Sequence, residues 1–122
     1  MIKVLINGVN GKMGNEVAKL VKQHSNMHLL GGFDRSVIHN LNFPVYNDFN
    51  NIFELPNVII DFSAPEATMK LLDFALSKKI ALVIATTGFS KEQQDRILKA
   101  SEHIAIFQSA NMSYEITLMK DI

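Results

Sequence analysis

The feature that most restricts the fold of this chain is a glycine-rich turn between an apolar segment and an amphipathic one. The turn has glycine at every third position, which permits a tight bend and lets a ligand approach the main chain closely. It opens a predicted helix, and the start of a helix presents unpaired N–H groups and the positive end of its dipole. The arrangement therefore predicts a local anion site. The turn reads Gly8-Val9-Asn10-Gly11-Lys12-Met13-Gly14 and follows the apolar run Ile2–Ile6.

The helix predicted after this turn, about Lys12–Gln23, carries apolar residues at intervals of three and four, and we expect that stripe to face a sheet. We also expect a branched side chain at Gly8 to occupy the space of a bound pyrophosphate. The spacing G-x-x-G-x-x-G differs from the commoner G-x-G-x-x-G, and the same residues would suit an ordinary strand-to-helix turn. The apolar stripe consists of Met13, Val17, Leu20 and Val21.

An acidic residue follows the second apolar segment at the distance typical of dinucleotide sites. Asp34 lies 20 positions after Gly14, where a carboxylate can accept hydrogen bonds from an adenosine ribose. Arg35 beside it can bind a 2′-phosphate, so both NADH and NADPH are candidate cofactors. The alternative interpretation of the two residues is a surface ion pair at a strand end.

Segments rich in valine and isoleucine alternate with segments of helical period, a pattern typical of βαβ units. It predicts an α/β fold: a Rossmann-like, doubly wound parallel sheet with helices on both faces, forming a single domain over residues 1–122. Pro44–Tyr46 is a candidate extra strand, Pro65 suits the first turn of a helix, and Ser90 suits a helix cap. The predicted strands are Ile2–Ile6, Leu29–Phe33, Val58–Phe62, Leu82–Ala85 and Ile104–Phe107.

Polar residues follow three of these strands, at the edge where open α/β sheets bind ligands. Threonine hydroxyls and asparagine amides there can bind a nicotinamide or its ribose, although the same residues also suit ordinary loops. We interpret Ser63, after the third strand, as a helix cap rather than a ligand. The candidate nicotinamide residues are Ala85, Thr86 and Thr87 together with Ser109, Ala110, Asn111 and Met112.

Composition excludes several classes of function. Twelve basic residues balance twelve acidic ones, so we expect neither a nucleic-acid nor a membrane partner. Cysteine is absent and no apolar run is long enough to span a bilayer, which favours a soluble cytoplasmic protein. His24 and His28 have the spacing of helical zinc ligands, but a predicted helix end lies between them, and we expect no metal site.

Together these motifs resemble 4-hydroxy-tetrahydrodipicolinate reductase, also called dihydrodipicolinate reductase, over nearly the whole chain. The resemblance implies that Gly8 to Met13 bind the pyrophosphate and that Asp34 and Arg35 meet the adenosine ribose and any 2′-phosphate. It further implies that Ala85–Thr87 and Ser109–Met112 flank the nicotinamide of NADPH or NADH. The motifs that carry it are Gly8–Gly14, Asp34-Arg35, Asp61–Glu66, Ala85–Phe89 and Ser109–Ser113.

In this family a hydride passes to a cyclic unsaturated dicarboxylate in lysine and diaminopimelate biosynthesis, and the enzyme is a homo-oligomer, a tetramer. Its C-terminal substrate domain, which holds the catalytic residues, is absent from this chain. The resemblance therefore implies cofactor binding without useful turnover and no catalytic residue within these 122 positions. Two alternatives stay open: the cofactor domain of another two-domain dehydrogenase, and a stand-alone module that senses redox state.

Overall fold

The computed structural model describes residues 1–35 and 43–108, which form one parallel sheet with helices on both faces. The elements are β1 (Ile2–Asn7), α1 (Lys12–Gln23), β2 (Met27–Phe33), β3 (Val45–Tyr46), β4 (Val58–Asp61), α2 (Pro65–Lys78), β5 (Ala81–Ile84), α3 (Lys91–Ala100) and β6 (Ile106–Gln108). The strand order is β3-β2-β1-β4-β5-β6, and every neighbouring pair is parallel. This confirms the predicted Rossmann-like, doubly wound α/β fold, whose order reverses between β1 and β4.

The sheet separates two apolar clusters because alternate residues of a strand point to opposite faces. Leu5 and Ile59 join the cluster under α2 and α3, whereas Val4 and Ile6 join the cluster under α1. Because helices cover both faces of the sheet, apolar residues occupy both sides of each strand, which explains the near-continuous apolar runs in the sequence. Among the described residues, no helix is long and apolar enough to cross a membrane.

Helix α1 has the predicted bounds, and half of its predicted apolar stripe is confirmed, since Val21 is buried and Val17 packs against the cluster under this helix. Its buried residues are Gly14, Ala18 and Val21, while Met13 and Leu20 are 56% and 65% exposed. The prediction that Met13 and Leu20 face the sheet is therefore wrong. A Cβ on Gly14 would lie 2.3 Å from the carbonyl oxygen of Gly8, so the helix approaches the turn too closely for larger residues on that face.

The other local predictions can be checked at the helix ends. Ser90 and Gln93 form a reciprocal capping box at the start of α3, and Pro65 occupies the first turn of α2, as predicted. The candidate strand near Tyr46 is confirmed as β3. The last strand begins at Ile106 rather than Ile104, because the Ile104 N–H still bonds the Ala100 carbonyl in the turn that ends α3.

Candidate functional site

A cavity of about 740 Å³ lies at the carboxyl ends of β1, β2 and β4. The glycine turn, the segment after β2, residues 47–49 after β3, the segment after β4 and the first turns of α2 form its wall. This is the point where the strand order reverses, which is where open α/β sheets bind ligands. The charged side chains of the wall are those of Asp34, Arg35, Asp48, Glu66 and Lys70.

Gly8 is required by the protein itself rather than by a ligand. Its φ of +80° lies in the left-handed region, and a Cβ there would approach the Phe62 carbonyl oxygen to 2.4 Å. We expected a side chain at this position to enter the space of the pyrophosphate. That reason is wrong, because the side chain would first collide with the main chain after β4.

Most main-chain N–H groups of the turn are used to hold it in place. Those of Gly8 and Val9 donate to the Phe33 carbonyl, and that of Gly11 donates to the Gly8 carbonyl. The Val9 side chain is fully buried, so its contribution to a ligand is confined to the main chain. The first turn of α1, at Lys12 and Met13, contains no acidic residue, and its N–H groups have no acceptor within the helix.

Asp34 is oriented by two main-chain donors at the rim of the cavity. Its Oδ2 accepts the Asn10 N–H at 2.9 Å and its Oδ1 accepts the Arg35 N–H at 2.8 Å. The residue is half-buried and Arg35 is exposed. Each carboxylate oxygen can accept a further hydrogen bond, so Asp34 can receive hydroxyl groups while it fixes the glycine turn.

A second carboxylate, that of Asp61 at the end of β4, is completely buried. Its Oδ1 accepts hydrogen bonds from Asn7 Nδ2 at 3.0 Å and from the Ser63 N–H and hydroxyl at 3.2 and 2.6 Å. Its Oδ2 accepts hydroxyl hydrogen bonds from Thr68 at 2.5 Å and Thr86 at 3.0 Å. We call Asn7, Asp61, Ser63, Thr68 and Thr86 the Asp61 cluster.

Two predicted roles change because of this cluster. Ser63 is not the cap of α2: the cap position is Ala64, and the Ser63 hydroxyl donates to Asp61. Thr86 is 4% exposed, and its hydroxyl both donates to Asp61 and accepts the Ser63 N–H at 3.0 Å. The Thr86 side chain is thus engaged inside the protein.

The predicted nicotinamide segments are only partly visible. Ala85 is half-buried and Thr87 is exposed after β5, and neither lines the cavity. Ser109, Ala110, Asn111 and Met112 lie outside the described residues. Sequence reasoning did not identify Asn7 and Lys70 as cavity residues, nor Asp61 and Thr68 as buried hydrogen-bond partners of each other. The available signal was that Asn7 and Asp61 are polar residues at the ends of apolar strands.

Comparison with known proteins identifies a family. Its model, described as dihydrodipicolinate reductase, N-terminus, matches residues 2–112. A 4-hydroxy-tetrahydrodipicolinate reductase of Caldanaerobacter subterraneus subsp. tengcongensis is 44% identical over 119 residues, which are 98% of this chain and 47% of the relative. One from Clostridium tetani is 37% identical over 126 residues, covering 100% of this chain and 49% of the relative.

A solved structure agrees with the sequence comparisons. The dipicolinate-bound dihydrodipicolinate reductase of Paenisporosarcina sp. TG-14 has a TM-score of 0.69 and 27% identity, covering 84% of this chain and 43% of that one. The chain spans about half the length of the curated relatives it matches. Between the predicted family and other two-domain dehydrogenases, these matches favour the predicted family.

Proposed function

The chain belongs to the dihydrodipicolinate reductase family, and from this premise we propose that its cavity binds the NADH or NADPH of a 4-hydroxy-tetrahydrodipicolinate reductase. The observation that carries the proposal is that two features meet in the wall of one cavity. The glycine turn lines the cavity up to Gly11, directly before the first turn of α1, whose N–H groups have no acidic neighbour, and Asp34 beside it is held by two main-chain donors. A diphosphate and a ribose of one dinucleotide fit these two features.

The proposed contacts divide the dinucleotide between the start of α1 and the segment after β2. In the proposal, the N–H and the ammonium of Lys12, with the N–H of Met13, bind the pyrophosphate against the positive end of the helix dipole. Asp34 accepts the ribose hydroxyls, and Arg35 meets a 2′-phosphate where one is present. Gly8, Val9, Asn10 and Gly11 shape the turn, and Ala85–Thr87 and Ser109–Met112 flank the nicotinamide.

The wider activity is proposed from the family. Residues 1–122 are the dinucleotide-binding domain, and a substrate region like that in the remaining half of the relatives' length would hold a cyclic unsaturated dicarboxylate. The bound nicotinamide would supply the hydride that reduces it. This chain orients the cofactor, holds no catalytic residue and binds without useful turnover. We also place the protein in the cytoplasm as a homo-oligomer without nucleic-acid or membrane partners, in line with its balanced charge.

Calorimetric titration of NADH and NADPH into the chain tests the proposal, and Gly11→Val provides the matching variant. Gly11 is exposed, lines the cavity and has extended dihedral angles of −72° and 163°. A Cβ there would meet only the Gly8 carbonyl oxygen, at an ordinary 3.4 Å. A valine therefore fits the protein but enters the cavity, and we expect at least about tenfold weaker binding, or about 1.4 kcal/mol.

The control is Gln23→Val, at the exposed far end of α1, which should bind as the parent chain does. Thermal unfolding of both variants verifies that they are folded at the temperature of the titration. Absence of heat with either dinucleotide would refute the proposed function. If Gly11→Val binds the dinucleotides as tightly as the parent chain does, the glycine turn is not part of the binding site.

A further inference from the structure

The carboxylate of the Asp61 cluster has no role in the binding scheme above, although Asn7 and Ser63 of the same cluster line the cavity. Its carboxylate is 0% exposed and accepts five hydrogen bonds from four described residues. Within residues 1–35 and 43–108, ion pairs join Lys3 to Glu54 and Arg96 to Asp73, and neither pair involves Asp61. A buried carboxylate is costly unless hydrogen bonds replace its hydration, so this one is compensated by donors alone.

Three of the four donor residues come from the ends of neighbouring strands. Asn7 ends β1, Ser63 follows β4, and Thr86 follows β5. Asn7 and Ser63 also line the cavity, whereas Thr68 donates from the first turns of α2 and does not. The Asp61 carboxylate thus connects two residues of the cavity wall, Asn7 and Ser63, to the segment after β5 that contains Thr86.

The contacts leave little freedom in the segment after β4. The Ser63 N–H bonds both Asp61 Oδ1 and Thr86 Oγ1, and the neighbouring Phe62 carbonyl lies where a Cβ on Gly8 would be. A shift of Ser63 would therefore move the wall against which the glycine turn is packed. Small displacements of a binding wall have large effects on affinity, because the contacts of a bound ligand require accurate geometry.

We infer that Asp61 is a positioning residue of the dinucleotide cavity: without touching the cofactor, it fixes Asn7, Ser63 and Thr86 so that the strand ends present one binding surface. This inference rests on the proposed function. Cofactor affinity should then depend on the Asp61 carboxylate, even at temperatures where its loss leaves the chain fully folded.

Asp61→Asn tests the inference with almost no change in shape. The amide can donate to Thr68 and Thr86, whose hydroxyls can turn to the Ala64 and Asp61 carbonyls, at 3.2 and 3.5 Å. The donors around Oδ1 keep only a neutral amide oxygen as their acceptor. We expect the folded variant to bind NADH at least about tenfold more weakly, and we expect hydrogen-exchange protection of the Ser63 N–H to fall, although Thr86 Oγ1 can still accept it.

Thr68→Val provides a second variant that does not alter the cavity wall. Thr68 is fully buried, reaches Asp61 at 2.5 Å and lies 3.4 Å from the Ser63 hydroxyl, so an effect on affinity would act through the Asp61 cluster rather than through contact with the cofactor. We expect two- to fivefold weaker binding, and Thr68→Ser, which keeps the hydroxyl, should restore the parent affinity. Ile97→Ala, a buried change on α3, is the control that lowers stability without altering affinity well below its Tm.

The inference about Asp61 and the proposed cofactor binding can be refuted by different results. Asp61→Asn with parent-like affinity and a protected Ser63 N–H would overturn the inference. Equal affinity losses in Ile97→Ala and Thr68→Val would also overturn it, since a general loss of packing would then suffice. If the parent chain binds no dinucleotide, the proposed function fails, while lost Ser63 protection in Asp61→Asn would still support the role of Asp61 in fixing this segment.

Discussion

Two carboxylates at the same edge of the sheet have opposite surroundings. Asp34, after β2, is half-buried and accepts two main-chain N–H groups, which leaves room for further hydrogen bonds. Asp61, after β4, is fully buried and accepts five hydrogen bonds, four of them from side chains. Position at a strand end therefore does not decide whether an acid meets a ligand; the number of internal donors around it does.

This difference predicts that replacement of Asp61 and replacement of Asp34 change different properties of the protein. Loss of Asp61 leaves several buried donors without an acceptor, which acts on the free energy of unfolding. Loss of Asp34 removes an acceptor at a half-buried position, where water can take its place, so the main effect should be weaker cofactor binding.

Asp61→Ala should give the largest effect. It removes the acceptor shared by Asn7, Ser63, Thr68 and Thr86, and each buried donor left unsatisfied costs roughly 1–3 kcal/mol. We expect the free energy of unfolding to fall by about 3 kcal/mol or more, measured by urea titration. A fall no greater than that of Asp34→Ala would contradict the contrast between the two acids.

Asp34→Ala should weaken NADH binding by about 10- to 100-fold, or roughly 1.4–2.7 kcal/mol, because it removes a charged acceptor for the ribose hydroxyls; NADPH binding should weaken less, since a 2′-phosphate replaces one of those hydroxyls. Its stability should change by less than about 1 kcal/mol, since the residue is only half-buried. Calorimetric titration and urea unfolding measure the two quantities. Asp95→Ala, an exposed change on α3, is the matched control, and unchanged affinity in Asp34→Ala would exclude the ribose contact.

Arg35→Ala should have the smallest effect and the most selective one. We expect NADPH binding to weaken by about 1.5 kcal/mol, at the low end for a charged hydrogen bond because Arg35 is exposed, while NADH binding stays unchanged. Arg96→Ala, which breaks a surface ion pair with Asp73, should alter neither titration. Equal losses of NADH and NADPH affinity in Arg35→Ala would contradict a contact between Arg35 and the 2′-phosphate. If only Lys70→Ala weakens NADPH binding selectively, the 2′-phosphate contact is made by Lys70 on α2 instead.

The sequence predicted Asp34 because its location follows from local rules. A strand, a glycine turn, a helix and a second strand occupy a nearly fixed length of chain, so an acid 20 positions after Gly14 falls at the neighbouring strand end. The Asp61 cluster obeys no such rule. Asn7 and Asp61 are 54 positions apart, and they meet only because β1 and β4 pair in register.

The face of a helix shows the same division on a smaller scale. Periodicity placed α1 correctly, yet it favoured the large residues Met13 and Leu20 over the small residues Gly14 and Ala18. At Gly14 the close approach of α1 to the glycine turn reverses that preference, because a Cβ there would collide with the Gly8 carbonyl. Spacing alone contains no information on this distance.

The sequence by itself determined the alternation of strands and helices, the glycine turn and the acid beside it, since these depend on residues close together in the chain. Only the tertiary structure decided that Thr86 and Ser63 turn inward to Asp61, that Gly8 accommodates Phe62, and that the main-chain N–H groups of Gly8 to Gly11 are bonded within the protein. The physical reason is that a polar group is available to a ligand only when its neighbours in space have not already satisfied it.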